Sequence, residues 1–136
     1  MSVKTFHLEI VTPERIVFKG EIISCSAPGA SGGFQILYNH APLLSSLDIG
    51  EVKVTEAQGT ELLYAVSGGF IEVRDNRVVL LADTAERTDE IDRGRAEAAR
   101  DRAKKLIIER KSDTDIERAR LALNRALNRL KIASTG

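Results

Sequence analysis

Apolar and polar residues alternate from Val3 to Ala82, and strand-forming side chains give way to Gly, Pro, Asn or Asp roughly every ten residues. Phe6, Leu8 and Ile10 share one face of a first strand, which Thr12-Pro13-Glu14 ends. Ile23, Cys25 and Ala27 share a face of a second, closing at Pro28-Gly29. A third strand is predicted over Phe34 to Tyr38, before the turn signal Asn39-His40-Ala41-Pro42. Alternation resumes at Val52 and Val54, at Leu62, Tyr64 and Val66, and at Ile71 and Val73. Asp75-Asn76 then reads as a tight hairpin turn into Val78 to Ala82. Seven or eight short strands with Gly-rich turns predict a sandwich or a flattened barrel.

After Thr84 the period changes to that of a helix. Thr88, Asp89 and Glu90 supply start signals, and Ala96, Ala99, Ala103, Leu106 and Ile107 mark the apolar side of a helix running to about Lys111. Ser112, Asp113 and Thr114 interrupt it, and Thr114-x-x-Glu117 has the spacing of a capping box. A second helix follows to about Ile132. Its seam is Ile116, Ala119, Leu123, Ala126 and Leu130, with Leu127 widening the stripe. The expectation is an α+β chain: a β-sandwich over residues 1–87, then an antiparallel two-helix hairpin over residues 88–136. Two such helices bury little by themselves, so the hairpin is expected to be marginal unless docked, and movable.

Composition sharpens this division. All six aromatic residues lie at or before Phe70, so the main core belongs to the β-region. The formal net charge is zero, yet residues 93–131 carry 13 basic and 6 acidic side chains, a local charge of +7 balanced by −7 elsewhere. Such a tail suits an acidic partner or phosphate groups, although basic residues on a solvated helix would look the same. Cys25 is the one cysteine, which excludes an intrachain disulfide and fits a reduced compartment. No signal peptide and no run of about 18 apolar residues is seen, so membrane association is expected only through partners.

Catalytic chemistry is hard to assemble from these residues. Gly29-Ala30-Ser31-Gly32-Gly33 lacks the lysine and following helix of a phosphate loop and reads as a surface turn. His7 and His40 stand apart from each other and from Cys25, so neither a metal set nor a Cys-His pair is expected. The hairpin is richer. Ile91-Asp92-Arg93-Gly94-Arg95-Ala96 opens the first helix, Arg95 and Arg102 lie two turns apart, and Arg125 and Arg129 form an i, i+4 pair. Such arginines could grip a polyphosphate while Asp92 accepts a hydrogen bond, or they could simply complement the helix dipole. The hairpin lacks aromatics for base stacking, which argues against nucleic acid as its partner.

Several stretches, in this order and spacing, resemble one family from end to end: LEIVTPERIVFKGE, the HAPLL turn at His40 to Leu44, VSGGFIEVRDNRVVLLADTAER at Val66 to Arg87, the EID helix start and RALNRL at Arg125 to Leu130. The chain resembles the epsilon subunit of bacterial and chloroplast F-type ATP synthases, the counterpart of the mitochondrial delta subunit. That resemblance implies a β-sandwich of about ten strands followed by a helix-turn-helix, and a non-catalytic rotor subunit with no required cofactor. It also implies the gamma subunit and the c-ring as partners, through Ser31, Gly32, Gly33, His40, Ala41 and Pro42. The alpha and beta subunits would join in an extended inhibitory state, with Arg118, Arg125, Arg129 and Lys131 facing acidic loops of the catalytic head. The family motif I-D-x-x-R-A, matched by Ile91, Asp92, Arg95 and Ala96, implies a regulatory ATP site that Arg102, Arg125, Arg129 and Glu86 would complete. The resemblance places the protein on the cytoplasmic face of a bacterial plasma membrane, or the stromal face of a thylakoid. Where relatives have Gly-Glu-x-Gly-x-Leu-Pro-Gly-His, this chain has Gly32 to His40 without the Glu or the Pro-Gly pair, so its contacts there would be backbone and apolar.

Overall fold

The structure, a computed structural model, describes residues 3–109 and 113–135, apart from the side chains of residues 113, 114 and 135. The chain divides into two compact units, Met1–Arg87 and Thr88–Gly136. The first contains strands β1 (Phe6–Val11), β2 (Ile16–Gly29), β3 (Gly32–Ile36), β4 (Leu43–Glu56), β5 (Glu61–Arg74), β6 (Arg77–Ala82) and β7 (Ala85–Arg87). In the second, a 3-10 turn at Thr88–Glu90 precedes α1 (Arg93–Glu109) and α2 (Asp113–Thr135).

The strands run in the order β1-β6-β5-β4-β2, and β2 pairs back onto β1, so the sheet closes into a flattened barrel. All neighbours are antiparallel except β1 and β6. β3 extends the sheet from β2, and β7 pairs with β5. Alternate residues enter the core: Phe6, Leu8 and Ile10 from β1; Ile71 and Val73 from β5; Val78, Leu80 and Ala82 from β6. Closure leaves the five ring strands without an open edge, which protects them from pairing with another chain.

Among the described residues there are seven strands, not ten. β2, β4 and β5 are each 14 residues long, and counting each twice gives ten. In β5 the bend falls at Gly68 and Gly69, with φ of +94° and +124°, and it lets one strand serve β6 at one end and β7 at the other. In β2 the register slips between Ile22 and Ser24. Ile22, Cys25 and Ala27 therefore face the core while Ile23 is only half-buried, correcting the face assigned from strict alternation. The third strand is Gly32–Ile36, and Leu37 and Tyr38 lie beyond it, exposed. The hairpin at Asp75-Asn76 has φ of 52° and 59°, as a two-residue turn between paired Arg74 and Arg77 requires.

Burial pushes the Cys25 thiol up from 9.0 to about 12. The unfolded chain therefore releases this proton first as pH rises, so the thiol's contribution to stability is intact below pH 9.0 and is lost between 9.0 and about 12. We expect the stability difference between the native chain and Cys25→Ala to shrink by about 1.4 kcal/mol per pH unit within that window. Urea titrations at successive pH values measure it, and a difference independent of pH would contradict the burial.

Candidate functional site

The hairpin arginines owe their placement to the alanines beside them. α1 and α2 pack against one another, and Arg93 Nη2 donates to Ser134 Oγ at 3.0 Å, joining the start of α1 to the end of α2. The helices are thus antiparallel. Ala96 and Ala103 of α1 and Ala119 and Ala126 of α2 are buried, and each directly follows an arginine: Arg95, Arg102, Arg118 and Arg125. At about 100° per residue, the position before a seam residue lies on one fixed flank. In an antiparallel pair those flanks coincide, so the four guanidinium groups share one side of the hairpin. Arg129, one turn beyond Arg125, joins them; Lys131 falls on the opposite flank. Counting from the Arg93–Ser134 bond, Arg102 and Arg125 are within roughly one turn, about 5 Å, of the same level.

Arg95, Arg102, Arg118 and Arg125 are exposed, and among the described residues none of their guanidinium groups has an ion-pair or hydrogen-bond partner. Arg100 by contrast pairs with Asp101 at 3.0 Å, and Arg120 with Glu117 at 3.9 Å. Helix periodicity thus puts Arg95, Arg102, Arg125 and Arg129 on one flank, with Arg118 on the same flank. Ile91 is half-buried and Ala96 fully buried, as framework would be. Glu86 lies in β7 of the first unit, paired with Ala65.

Asp92 is the N-cap of α1. Arg95 N donates to Asp92 Oδ1 at 3.1 Å, and Ala96 N to the Asp92 carbonyl at 3.0 Å. This corrects the helix start placed at Thr88, Asp89 and Glu90, which form the separate 3-10 turn. The capping box proposed at Thr114 rests on a side chain outside those described. The seam expected through Leu106 and Leu127 is also narrower, since both are exposed; the buried side chains of the two helices are Ala96, Ala103, Ala119, Ala126 and Ile132 among the described residues. Asp92→Ala is expected to destabilise the hairpin by about 1 kcal/mol and Asp92→Asn by far less, because Asn caps equally well. Amide exchange at Arg95 and Ala96 measures this, and equal loss in both variants would contradict the cap.

In the first unit, Ser31, Gly32 and Gly33 are exposed at the turn between β2 and β3. His40 is half-buried after β3, and its Nδ1–H donates to Ala41 O at 2.7 Å. Ala30 N donates to Ser46 O at 3.0 Å, so the two predicted partner stretches are separated by four residues of extended chain, roughly 13 Å. Beside Ser46 begins a feature not read from the sequence. Leu44, Phe70, Leu81 and Ile16 are 72%, 57%, 51% and 57% exposed. Phe70 pairs with Leu81, Leu81 with Val11, and Val11 with Ile16, while Leu44 stands diagonal to Phe70. Cross-strand partners share a face, so these residues form a continuous apolar belt on the outside of the barrel. The available signal was apolar residues out of phase with the core set, in Phe70-Ile71 and Leu80-Leu81 above all.

No group of His, Cys, Asp and Glu among the described residues could hold a metal, and no described helix is long and apolar enough to cross a membrane.

Two family models match the chain: the beta-sandwich domain of the ATP synthase delta/epsilon chain over residues 5–88, and its long alpha-helix domain over residues 89–134. The chain is 49% identical to the ATP synthase epsilon chain of Desulforamulus reducens, across 96% of this chain and 98% of that one. It is 50% identical to the epsilon chain of Herpetosiphon aurantiacus over 93% of both. Its fold resembles a chain in the Euglena gracilis mitochondrial ATP synthase, an OSCP/F1/c-ring structure, with a TM-score of 0.84 at 18% identity, covering 100% of this chain and 84% of that one. A chain of the Tetrahymena thermophila central stalk and c-ring aligns with a TM-score of 0.61 at 12% identity, covering 98% and 99%.

Proposed function

The chain belongs to the ATP synthase delta/epsilon family, whose members are not the catalytic subunits, and from that membership we propose that it is a rotor subunit of the central stalk. The barrel couples the gamma subunit to the c-ring, and the hairpin regulates ATP hydrolysis. The observation that carries the coupling reading is the apolar belt. A contiguous outward apolar surface is costly on an isolated chain and is what a partner surface requires. Its Leu44 lies on the stretch that joins Pro42 to Ser46, which is bonded to Ala30, so gamma and c-ring contacts would be continuous with it. The complex would hold the protein at the membrane.

The regulatory reading draws on the basic side chains of α2. In an open state Arg118, Arg125, Arg129 and Lys131 would meet acidic loops of the alpha and beta subunits. A second reading, nucleotide sensing, is favoured by the placement of Arg95, Arg102, Arg125 and Arg129 on one flank of the hairpin: ATP bound there would stabilise the closed hairpin and so relieve inhibition, without being hydrolysed.

Reconstitution with the remaining ATPase subunits tests both parts. Phe70→Asp is expected to weaken assembly on gamma at least about 30-fold, as truncation of a central anchor does, with the barrel's own unfolding little changed. Removal of residues 88–136 is expected to raise ATP hydrolysis while leaving assembly intact. Unaltered assembly in the first case overturns the belt as a gamma contact; unaltered hydrolysis in the second overturns regulation. Calorimetry with ATP on the full chain tests nucleotide sensing, with Arg95→Ala and Arg125→Ala as comparisons. No heat at millimolar ATP overturns it.

A further inference from the structure

Where β2, β3 and β4 meet, the barrel wall holds an open cleft of about 470 Å³. Glycine and proline make the room for it. Gly33, paired with Pro28, has no side chain to occupy the space. Pro28 sits at the register slip between Ser26 and Gly29, where the ladder can spare its missing N–H. It packs so closely onto Gly50 that a Cβ there would stand 2.6 Å from Pro28 Cβ. Phe34 and Gln35 also line the cleft, and Glu51 of β4 is the one ionisable side chain of the lining. Glu51 is half-buried and has no hydrogen bond or ion pair among the described residues. Neighbouring donors are engaged elsewhere: Gln35 Nε2 donates to Ser24 Oγ at 2.9 Å, and Lys53, two residues along β4, pairs with Glu61 at 3.4 Å. A half-buried carboxylate without a donor is left open to a cation from outside.

We propose that this cleft receives an arginine side chain of a partner subunit, its methylene stem on Pro28 and Phe34 and its guanidinium on the Glu51 carboxylate. The chemistry of the lining selects that occupant. Apolar surface with a single carboxylate suits a side chain that is apolar along its stem and cationic at its tip. A guanidinium is weakly hydrated, lies flat on an aromatic ring and meets a carboxylate through two parallel bonds. A lysine ammonium would give up more hydration for fewer bonds. The occupant belongs to a protein because Gly33 is part both of the cleft and of the exposed turn Ser31 to Gly33, which the coupling reading gives to a partner. The proposal rests on that reading and adds a charge to it: Glu51 supplies from β4 a carboxylate that the stretch Gly32 to His40 lacks.

The test measures assembly of the full chain with the remaining ATPase subunits, c-ring included, at increasing NaCl. Glu51→Gln is expected to weaken assembly about tenfold, the loss of one charge-assisted pair, and Glu51→Arg to weaken it further by setting like charges together. The Glu51→Gln deficit should narrow as NaCl rises, because salt screens the native pair and not the neutral variant. Gly33→Leu keeps the carboxylate but fills the cleft, and should cost assembly at least as much. Its Cβ would stand 3.7 Å from Ala27 O, an ordinary contact that the barrel accepts. Urea midpoints of the Glu51 variants alone should match the native chain. Unaltered assembly in Glu51→Gln, with Phe70→Asp still weakening it, overturns this proposal and leaves the coupling reading standing; unaltered assembly in both overturns the two together. A deficit that does not vary with salt overturns the ion pair, and full assembly of Gly33→Leu overturns the cleft as its seat. Carbodiimide coupling of Glu51 to a partner's amine would put lysine there and overturn arginine. A lowered urea midpoint that accounts for the deficit would assign Glu51 to the barrel and overturn its part in binding.

Discussion

Gly69→Ala is expected to cost the barrel more than about 3 kcal/mol, whereas the same change at Gly59 costs about 1 to 2 kcal/mol. Both glycines have positive φ, +124° and +97°, but Gly59 faces open space. A Cβ on Gly69 would stand 1.9 Å from Leu81 O and 2.9 Å from Ala82 Cα. Those atoms are backbone of β6, to which Gly69 is paired at Ala82, so no side-chain rotation relieves the overlap and the ladder itself must shift. Gly68 is the intermediate case: φ is +94°, and its nearest neighbour is the Asp83 carboxylate at 3.0 Å, a side chain that can move. Denaturant midpoints for the three alanine variants should rank Gly59, Gly68, Gly69 in rising cost. Equal costs at 59 and 69 would mean that backbone conformation alone matters and that β5 and β6 do not approach so closely.

Gly69 also shows what the sequence could and could not say. A Gly-Gly pair within an apolar alternation looks like the end of one strand and the start of another, because glycine is the usual punctuation between strands. Here it is a bend inside one continuous strand, and only the partner strand reveals this. The same holds at Ile22 to Ser24, where one slipped residue exchanges the inward face; strict alternation cannot anticipate a bulge that depends on a neighbour. The turn at Asp75-Asn76 was legible because its requirement is local: two positive φ values on residues that tolerate them.

The hairpin follows the same rule. Its arginine spacing was legible, and the i, i+7 pairs become one flank as soon as the helices are known to be antiparallel. Asp92 was read as a ligand acceptor; its cap role is equally local, but Thr88 to Glu90 offered a competing start, and the 3-10 turn there absorbed those signals. The belt of Leu44, Phe70, Leu81 and Ile16 was illegible because each residue passes singly for an ordinary exposed side chain. Only register across five strands joins them.

The largest functional consequence is expected from the alanine seam. Ala103→Leu places a branched side chain where the helices meet and Ala103 is 2% exposed. Overpacking of this kind costs about 1 to 3 kcal/mol, and a unit of two helices has little else to absorb it. A cost of about 2 kcal/mol shifts the closed-to-open ratio roughly 30-fold. Amide exchange in residues 93–135 should accelerate by that factor, while strands β1 to β6 keep their protection because the barrel core has no part in the seam. In the assembled ATPase, where the proposed inhibitory state is the open one, the same variant should inhibit hydrolysis more strongly and need more ATP for relief. Leu106→Ala, at an exposed position beside the seam, should do neither. Unaltered exchange in Ala103→Leu would show that α1 and α2 do not close on this face. Accelerated exchange with unaltered hydrolysis would separate hairpin opening from inhibition, leaving the fold as described and the regulatory reading refuted.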